Sequence, residues 1–419
     1  MAIGRGFALI GGLLLLSRNA CAFVCHGAAR ALVAKAGSDA RAAPVHMSIV
    51  DAEQSRTNFL KDSAAALAVG AALGCGLPEA ATAESAKAWK QIELPVATTL
   101  YDVAFDPKDP SHGFVVGAQG TFLETNDGGE TWGARTFGNL DEEEEINYRF
   151  QKVSVVDREV FIVGKPPILL HSKDAGKSFE RIPLSPKLPG EPTFVEALGG
   201  GKAEMTTSTG AVYYTSNAGL NWKAQARANM TVKETIDATL NRISSSGVSG
   251  ASYFTGSIIG TSRDESGSYL AVSSRGNFYL TWQPGQDFWV PHNRGSARRI
   301  QNMGFVKGNA SNGLWMTLNG GAMQKTTAGS DLSVDTPDFE DVNIKSGGFG
   351  IIDAAWKDDN EAWAVGGGGS LWYSTDGGKK FRFNPGADKI PGNLYNVKFF
   401  SADTGIAIGS DGVLLKCVP

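Results

Sequence analysis

An eight-residue pattern that occurs four times constrains the fold of this chain more than any other feature. Each copy reads hydroxyl residue, any residue, Asp or Asn, small residue, Gly, two further residues and an aromatic residue. The Asp or Asn side chain accepts hydrogen bonds from turn N–H groups and the glycine supplies positive φ, so each copy predicts a β-hairpin whose aromatic residue anchors the departing strand. The residues in these two roles are Asp127 and Trp132, Asp174 and Phe179, Asn217 and Trp222, and Asp376 and Phe381.

This pattern resembles the Asp-box hairpin of β-propellers, and a second feature gives the number of blades. Two apolar runs flank a tight turn upstream of each box, which predicts two short strands. Equivalent turns are separated by 47, 43, 66, 45, 48 and 43 residues. A period in the forties with strand–turn–strand content indicates one four-stranded blade per repeat, so we predict an all-β, seven-bladed β-propeller. The seven turns contain Gly120, Pro167, Gly210, Gly276, Gly321, Gly369 and Gly412.

The two ends of the repeat region predict how the ring closes. The last unit stops at Pro419, before its fourth strand, whereas residues 88–92 near the start read as a strand without a blade. We predict that this N-terminal strand completes the seventh blade, which removes open sheet edges that would invite aggregation.

Residues 1–83 have the composition of targeting segments rather than of a folded domain. Residues 1–22 read as a secretory signal peptide and residues 23–55 as a plastid transit peptide, an order that resembles the leaders of plastids of secondary endosymbiotic origin. Residues 56–83 resemble a thylakoid-lumen signal of the twin-arginine type, except that Thr57 stands in place of the second arginine. Neither apolar run reaches the roughly 18 residues that span a bilayer, so a permanent anchor is the weaker interpretation. We predict a plastid protein of the thylakoid lumen.

The composition of the chain excludes some classes of site. The 39 basic and 43 acidic residues give a net charge of −4, which does not indicate a nucleic-acid partner. In the predicted propeller, residues 84–419, Cys417 is the one cysteine and is expected to be buried filler rather than a nucleophile. The histidines there, His112, His171 and His292, lie in separate repeats without metal-ligand spacing. We therefore predict no disulfide and no metal site in this region.

Two segments depart from the repeat, and function on a repeated scaffold is best sought at such places. The acidic run Asp141–Glu145 is either a solvated loop between blades or a docking surface for a basic partner. The 66-residue step contains an insertion at about residues 229–252, and apolar residues at helical spacing there predict a short amphipathic helix. The alternative for this segment is strand-like packing.

Arginines are concentrated in blades 3 to 5, with few acids beside them. If blade geometry brings several of them to one face, their guanidinium groups suit bidentate binding of carboxylates or phosphates. The alternative is that each pairs with a local acid or carbonyl group. The candidate partner-binding residues are Arg242, Arg263, Arg275, Arg294, Arg298 and Arg299.

Several segments outside the boxes carry a family resemblance, namely residues 147–150, 164–171, 238–256, 275–279, 291–294, 299–304 and 348–350. Together these segments are similar to the photosystem II stability/assembly factor family of the thylakoid lumen. The resemblance extends over residues 88–419 and implies a non-enzymatic, seven-bladed propeller that binds newly inserted reaction-centre subunits and early assembly intermediates. It also implies an arginine-rich contact surface. We expect a monomer that meets the thylakoid membrane through these partners alone.

Two other functions remain open at this stage. Asp-box propellers include sialidases and other glycoside hydrolases. The nearest candidates for the catalytic residues of such an enzyme are Tyr253, Tyr269 and Tyr279 with Glu265. A pigment carrier would need a groove lined by aromatic residues, although aromatic residues at strand spacing more often form the core. We expect no stable cofactor, with transient chlorophyll as the open alternative. The candidate groove residues are Phe278, Tyr279, Trp282, Phe288 and Trp289.

Overall fold

A computed structural model describes residues 89–225, 257–286, 289–326, 337–401 and 403–418. Within these ranges the chain forms seven four-stranded antiparallel sheets, which are the seven blades of a propeller. The predicted fold class is thus confirmed. The insertion at residues 229–252, its predicted helix and the leader lie outside the described residues.

The first three blades use consecutive strands, named here from the innermost outward. Each outermost strand is only two residues long. The strands of blade 1 are β2 (Leu100–Asp106), β3 (Asp109–Gly117), β4 (Phe122–Thr125) and β5 (Gly133–Ala134). Those of blade 2 are β6 (Arg149–Val156), β7 (Glu159–Lys165), β8 (Ile168–Ser172) and β9 (Glu180–Arg181). Those of blade 3 are β10 (Pro192–Gly199), β11 (Lys202–Thr207), β12 (Val212–Thr215) and β13 (Lys223–Ala224).

Blades 4 to 6 repeat this order. The strands of blade 4 are β14 (Ile258–Arg263), β15 (Tyr269–Ser273), β16 (Phe278–Trp282) and β17 (Val290–Asn293). Those of blade 5 are β18 (Ile300–Phe305), β19 (Leu314–Leu318), β20 (Ala322–Thr326) and β21 (Phe339–Asp341). Those of blade 6 are β22 (Ile351–Trp356), β23 (Ala362–Gly366), β24 (Leu371–Ser374) and β25 (Arg382–Phe383).

Blade 7 contains both ends of the described chain, as the sequence predicts. Its strands β26 (Leu394–Phe399), β27 (Gly405–Gly409) and β28 (Leu414–Cys417) are completed by β1 (Trp89–Ile92). Trp89 lies opposite Cys417 and its ring meets that of Trp363 in blade 6 edge to face, with ring centroids 5.3 Å apart. The N-terminal strand therefore closes the ring.

The helices in the described ranges are all short. Their bounds are α1 (Glu142–Glu145) and the 3₁₀ turns Val306–Gly308, Ala310–Asn312, Gly367–Gly369 and Pro385–Lys389. None of the described helices is long and apolar enough to cross a bilayer.

Apolar side chains fill the interfaces between blades. Each of the seven interfaces has its own buried cluster, such as Phe114, Phe122 and Phe137 of blade 1 with Phe150 of blade 2. This burial between sheets is the main stabilising contribution, because short strands bury little surface within one blade.

The innermost strands share an irregularity near their starts. All seven contain a β-bulge within the first four residues of the strand, as between Leu100 and Asp102. The bulge resets the strand's alternation, and in several blades a polar residue follows it at the centre of the ring. These residues are Asp102, Lys152, Asn302, Asp353 and Asn396.

Candidate partner-binding surface

The strand order of the blades divides the connecting segments between the two ends of the propeller. Turns between second and third strands, and the connections from one blade to the next, lie at the end where the innermost strands begin. Turns between first and second strands, and the Asp boxes between third and fourth strands, lie at the opposite end. We call these ends the connection face and the Asp-box face.

The boxes form tight turns on the Asp-box face. In blade 1, Asp127 accepts hydrogen bonds from the N–H groups of Glu130 and Thr131, both at 2.9 Å, while Gly129 donates to the Thr125 hydroxyl group at 3.0 Å. The Thr131 hydroxyl also donates to Asp127, and these bonds lower the pKa of Asp127 to about 2. In the boxes of Asp174, Asn217 and Asp376, the hydroxyl group of the first residue donates to the side chain of the third residue and accepts from the N–H group of the fifth.

The aromatic residue of each box packs toward the preceding blade. Trp132 joins Ile406 and Ile408 of blade 7, and Phe179 meets Phe122 and Phe137 of blade 1. Trp222 and Phe381 likewise pack on the clusters shared with blades 2 and 5. These aromatic side chains thus have a structural role between neighbouring blades.

A basic surface lies on the connection face of blades 4 to 6. It consists of three turns, residues 274–277, 319–321 and 367–370, and two blade connections, residues 294–299 and 342–350. This basic surface contains five cationic residues and no acidic one. The cations are Arg275, Arg294, Arg298, Arg299 and Lys345.

Arg294 organises the connection between blades 4 and 5. Its guanidinium group donates to the Ser296 carbonyl at 2.5 Å, the Ala297 carbonyl at 3.2 Å and the Asn277 amide oxygen at 3.0 Å. These acceptors are all neutral, so its positive charge is not cancelled by them. Arg294 therefore holds residues 294–299 in place rather than pointing freely to a ligand.

Arg298 and Arg299 follow on the same connection, and both are exposed. No carboxylate of the described residues lies within salt-bridge distance of either guanidinium group. Arg275 is exposed on the neighbouring turn of blade 4, and Gly276 of that turn accepts a hydrogen bond from Ile300 N at 2.8 Å. The structure thus places Arg275, Arg294, Arg298 and Arg299 on one continuous surface.

Arg263 does not lie on this surface. It is the last residue of β14 and so lies at the opposite end of blade 4, with its side chain 15% exposed. Its Nε donates to Glu204 at 2.7 Å, and the hydroxyl group of Tyr269 donates to the same carboxylate at 2.7 Å. Arg263 therefore ties blade 4 to blade 3, and we remove it from the candidate surface. Arg242 lies outside the described residues.

The acidic run Asp141–Glu145 lies on the connection between blades 1 and 2, where its last four residues form helix α1. Glu144 binds Arg181 at 2.8 Å and the Tyr148 hydroxyl at 3.0 Å, while Glu145 is buried. These contacts within the protein favour a local structural role for part of the run. The acidic run therefore lies on the connection between blades 1 and 2, away from the basic surface at blades 4 to 6.

Candidate residues for the other two functions are mostly buried. Phe278, Tyr279, Trp282 and Trp289 belong to the core of blade 4, and Phe288 lies outside the described residues. Tyr269 is buried against Glu204, Glu265 is exposed, and Tyr253 falls in an undescribed segment. Cys417 is buried, and no cluster of potential metal ligands occurs in the described part of the chain.

Sequence reasoning missed two features of this region. Phe349, between Gly348 and Gly350, is 49% exposed beside the arginines, and an aromatic residue flanked by glycines in a blade connection is the signal that points to it. The second is a polar network at the centre of the ring, where Lys398 binds Asp102 at 2.5 Å and Lys152 binds it at 3.3 Å. Its signal is a polar residue soon after the start of an otherwise apolar innermost strand.

Comparison with known proteins agrees with this architecture. The family described as "Photosynthesis system II assembly factor YCF48" matches residues 81–418. The chain is 52% identical over 357 residues to "Photosystem II stability/assembly factor HCF136, chloroplastic" of Cyanidioschyzon merolae, covering 84% of this chain and 80% of that protein.

Two solved structures have the same fold at high identity. "YCF48 from Cyanidioschyzon merolae" matches with a TM-score of 0.73 and 51% identity, covering 79% of this chain and 99% of that one. "YCF48 bound to D1 peptide" matches with a TM-score of 0.66 and 39% identity, covering 79% of this chain and 95% of that one. On the extent of the family match and these identities, the chain belongs to the YCF48 family of photosystem II assembly factors.

Proposed function

We propose that this chain is a non-enzymatic assembly factor that binds a photosystem II reaction-centre subunit, D1, through its basic surface. The observation that carries the proposal is the exposed pair Arg298 and Arg299 on an acid-free surface, together with a related propeller whose structure contains a D1 peptide. Arginine pairs of this kind bind carboxylates through charge-assisted, bidentate hydrogen bonds.

Binding rather than turnover accounts best for the described groups. The Tyr269–Glu204–Arg263 cluster has the residue types of a sialidase site, but its members are largely buried and bonded to one another across blades 3 and 4. The named relatives are assembly factors. We therefore propose stoichiometric capture of an early assembly intermediate by a monomer, without a stable cofactor.

We place this function in the thylakoid lumen of a plastid. The support is the predicted order of leader segments in residues 1–83 and the chloroplastic name of the relative from Cyanidioschyzon merolae. On this proposal the protein meets the membrane through its partners.

Charge removal at Arg298 and Arg299 tests the proposal. We expect the double variant Arg298→Ala/Arg299→Ala to lose at least about 10-fold in D1 affinity, since each charged contact contributes on the order of 1–3 kcal/mol. Affinity of the unaltered protein should also fall as salt rises, because exposed charges are screened. The measurement is capture of D1 from solubilised thylakoids, quantified across a salt series.

A matched control is available on the Asp-box face. Lys379 and Lys380 are also adjacent, exposed cations, and Lys379→Ala/Lys380→Ala changes the net charge equally. This control should capture D1 as the unaltered protein does. Equal loss in both double variants would assign the effect to net charge, and no loss in either would refute the basic surface as the D1 site.

A further inference from the structure

Phe349 and Arg298 border one turn of blade 5. A Cβ atom at Gly320 would lie 3.7 Å from Nη1 of Arg298, and a Cβ atom at the next residue, Gly321, would collide with the carbonyl oxygen of Phe349. The Cα atoms of consecutive residues are about 3.8 Å apart. The guanidinium group and the aromatic residue therefore flank neighbouring positions, although they are 51 residues apart in the chain.

The ring of Phe349 rests on the glycine-rich turn of blade 6. A Cβ atom at Gly368 would lie 2.8 Å from Cε1 of Phe349, and one at Gly367 would lie 3.9 Å from Cδ1. A side chain at Gly368 would thus displace the ring. The backbone of Gly367 and Gly368 therefore supports one part of the ring, while 49% of Phe349 stays exposed to solvent.

This arrangement leaves an apolar side chain on the surface at a cost to solubility. Phe349 is one of the few large apolar residues that are exposed in the described part of the chain, and it lies within the acid-free basic surface. Aromatic and arginine side chains together are typical of the residues that dominate binding energy at interfaces. The cationic surroundings are complementary to an acidic partner and unfavourable for a basic one.

We infer that Phe349 and Arg298 form a composite subsite for one acidic peptide segment of the reaction-centre subunit. Arg298 binds an Asp or Glu side chain of the segment, and the exposed ring of Phe349 packs against an apolar side chain next to it. This inference rests on the proposed function and adds a specificity-determining residue to it: the partner segment must combine a carboxylate and an apolar group in neighbouring positions.

Peptide binding tests the subsite directly. Overlapping fluorescent peptides covering the D1 sequence are titrated with the unaltered protein, and the tightest peptide is then titrated with Phe349→Ala, Phe349→Leu and Arg298→Ala. We expect Phe349→Ala to raise Kd about 10-fold or more and Phe349→Leu to raise it less, because leucine keeps an apolar contact. Phe383→Ala is the matched control, because Phe383 is 42% exposed on the outermost strand of blade 6. It should change Kd by less than about 2-fold.

Substitution in the peptide then identifies the contact. Replacing the peptide's apolar residue by Ala should raise Kd for the unaltered protein and have little further effect in Phe349→Ala, as expected when both changes remove one interaction. If Arg298→Ala weakens binding while Phe349→Ala matches Phe383→Ala, the inference fails and the proposed function stands. If no D1 peptide binds the unaltered protein, both fail.

Discussion

At the scale of the residue, burial at the centre of the ring changes the charge state of Asp353. It lies on the innermost strand of blade 6 and accepts hydrogen bonds from Asn302 Nδ2 of blade 5 and Val397 N of blade 7, both at 3.0 Å. Burial raises the pKa of Asp353 to about 7, because these bonds and the more distant lysines only partly offset the loss of solvation. Asp102, equally central, keeps a lowered pKa despite burial because Lys152 and Lys398 bind it directly.

The raised pKa of Asp353 predicts a pH-dependent stability. The pKa in the folded protein exceeds the ordinary Asp value of 3.8, so the stabilising contribution of the protonated group is complete below that value and is lost as pH rises through about 7. Between about pH 5 and pH 8 the free energy of unfolding should fall by roughly 2–3 kcal/mol relative to that of Asp353→Asn, which cannot ionise. Urea denaturation of both proteins across this range measures the difference. Parallel pH profiles would contradict the assignment.

At the scale of the element, the boxes were predictable and the basic surface was predictable only in part. The hydrogen bonds that the Thr125 and Asp127 side chains make within the box join residues at most four positions apart, so the pattern itself specifies the turn. Arg263 and Arg275 are only 12 positions apart in sequence, yet strand β15 carries the chain from one end of blade 4 to the other between them. The contact of Phe349 with Gly368 depends on how two blades pack, which no local pattern records.

The box of blade 1 offers a prediction about its acidic residue. Asn217 accepts the N–H group of Asn221 at 2.9 Å in blade 3, which shows that an amide suffices for this bond. We therefore expect Asp127→Asn to destabilise the protein by less than about 1 kcal/mol and Asp127→Ala by about 1–2 kcal/mol, because alanine leaves several turn donors without their acceptor. Thermal or urea unfolding measures both. Equal losses in the two variants would show that charge, rather than hydrogen bonding, is the important property of Asp127.

At the scale of the whole molecule, closure joins the two ends of the described chain. Strand β1 pairs with β28 from Trp89–Cys417 to Ile92–Leu414, and Lys90 and Lys416 both bind Glu130 of blade 1, at 3.2 and 2.7 Å. This closure could be predicted from the sequence because the last repeat lacks its fourth strand and the first strand belongs to no other repeat. Together the two make one complete blade. The basic surface had a weaker signal, because a concentration of arginines in sequence does not record which end of a blade each arginine reaches.

Closure predicts a specific loss of stability when β1 is changed. Trp89→Ala removes the ring that packs on Trp363 and Phe399, and we expect a loss of about 2–3 kcal/mol, less than for a fully buried Trp because Trp89 is only partly buried. Deleting residues 89–92 should cost more and promote association between molecules, because β28 then becomes an open edge. Differential scanning calorimetry and size-exclusion chromatography measure the two effects. If pairing with β28 is what β1 supplies, appending residues 88–94 after Val418 in the deleted chain should restore the elution volume and most of the melting temperature of the unaltered protein. A deleted chain that already melts like the unaltered protein would show that six blades and a three-stranded seventh suffice.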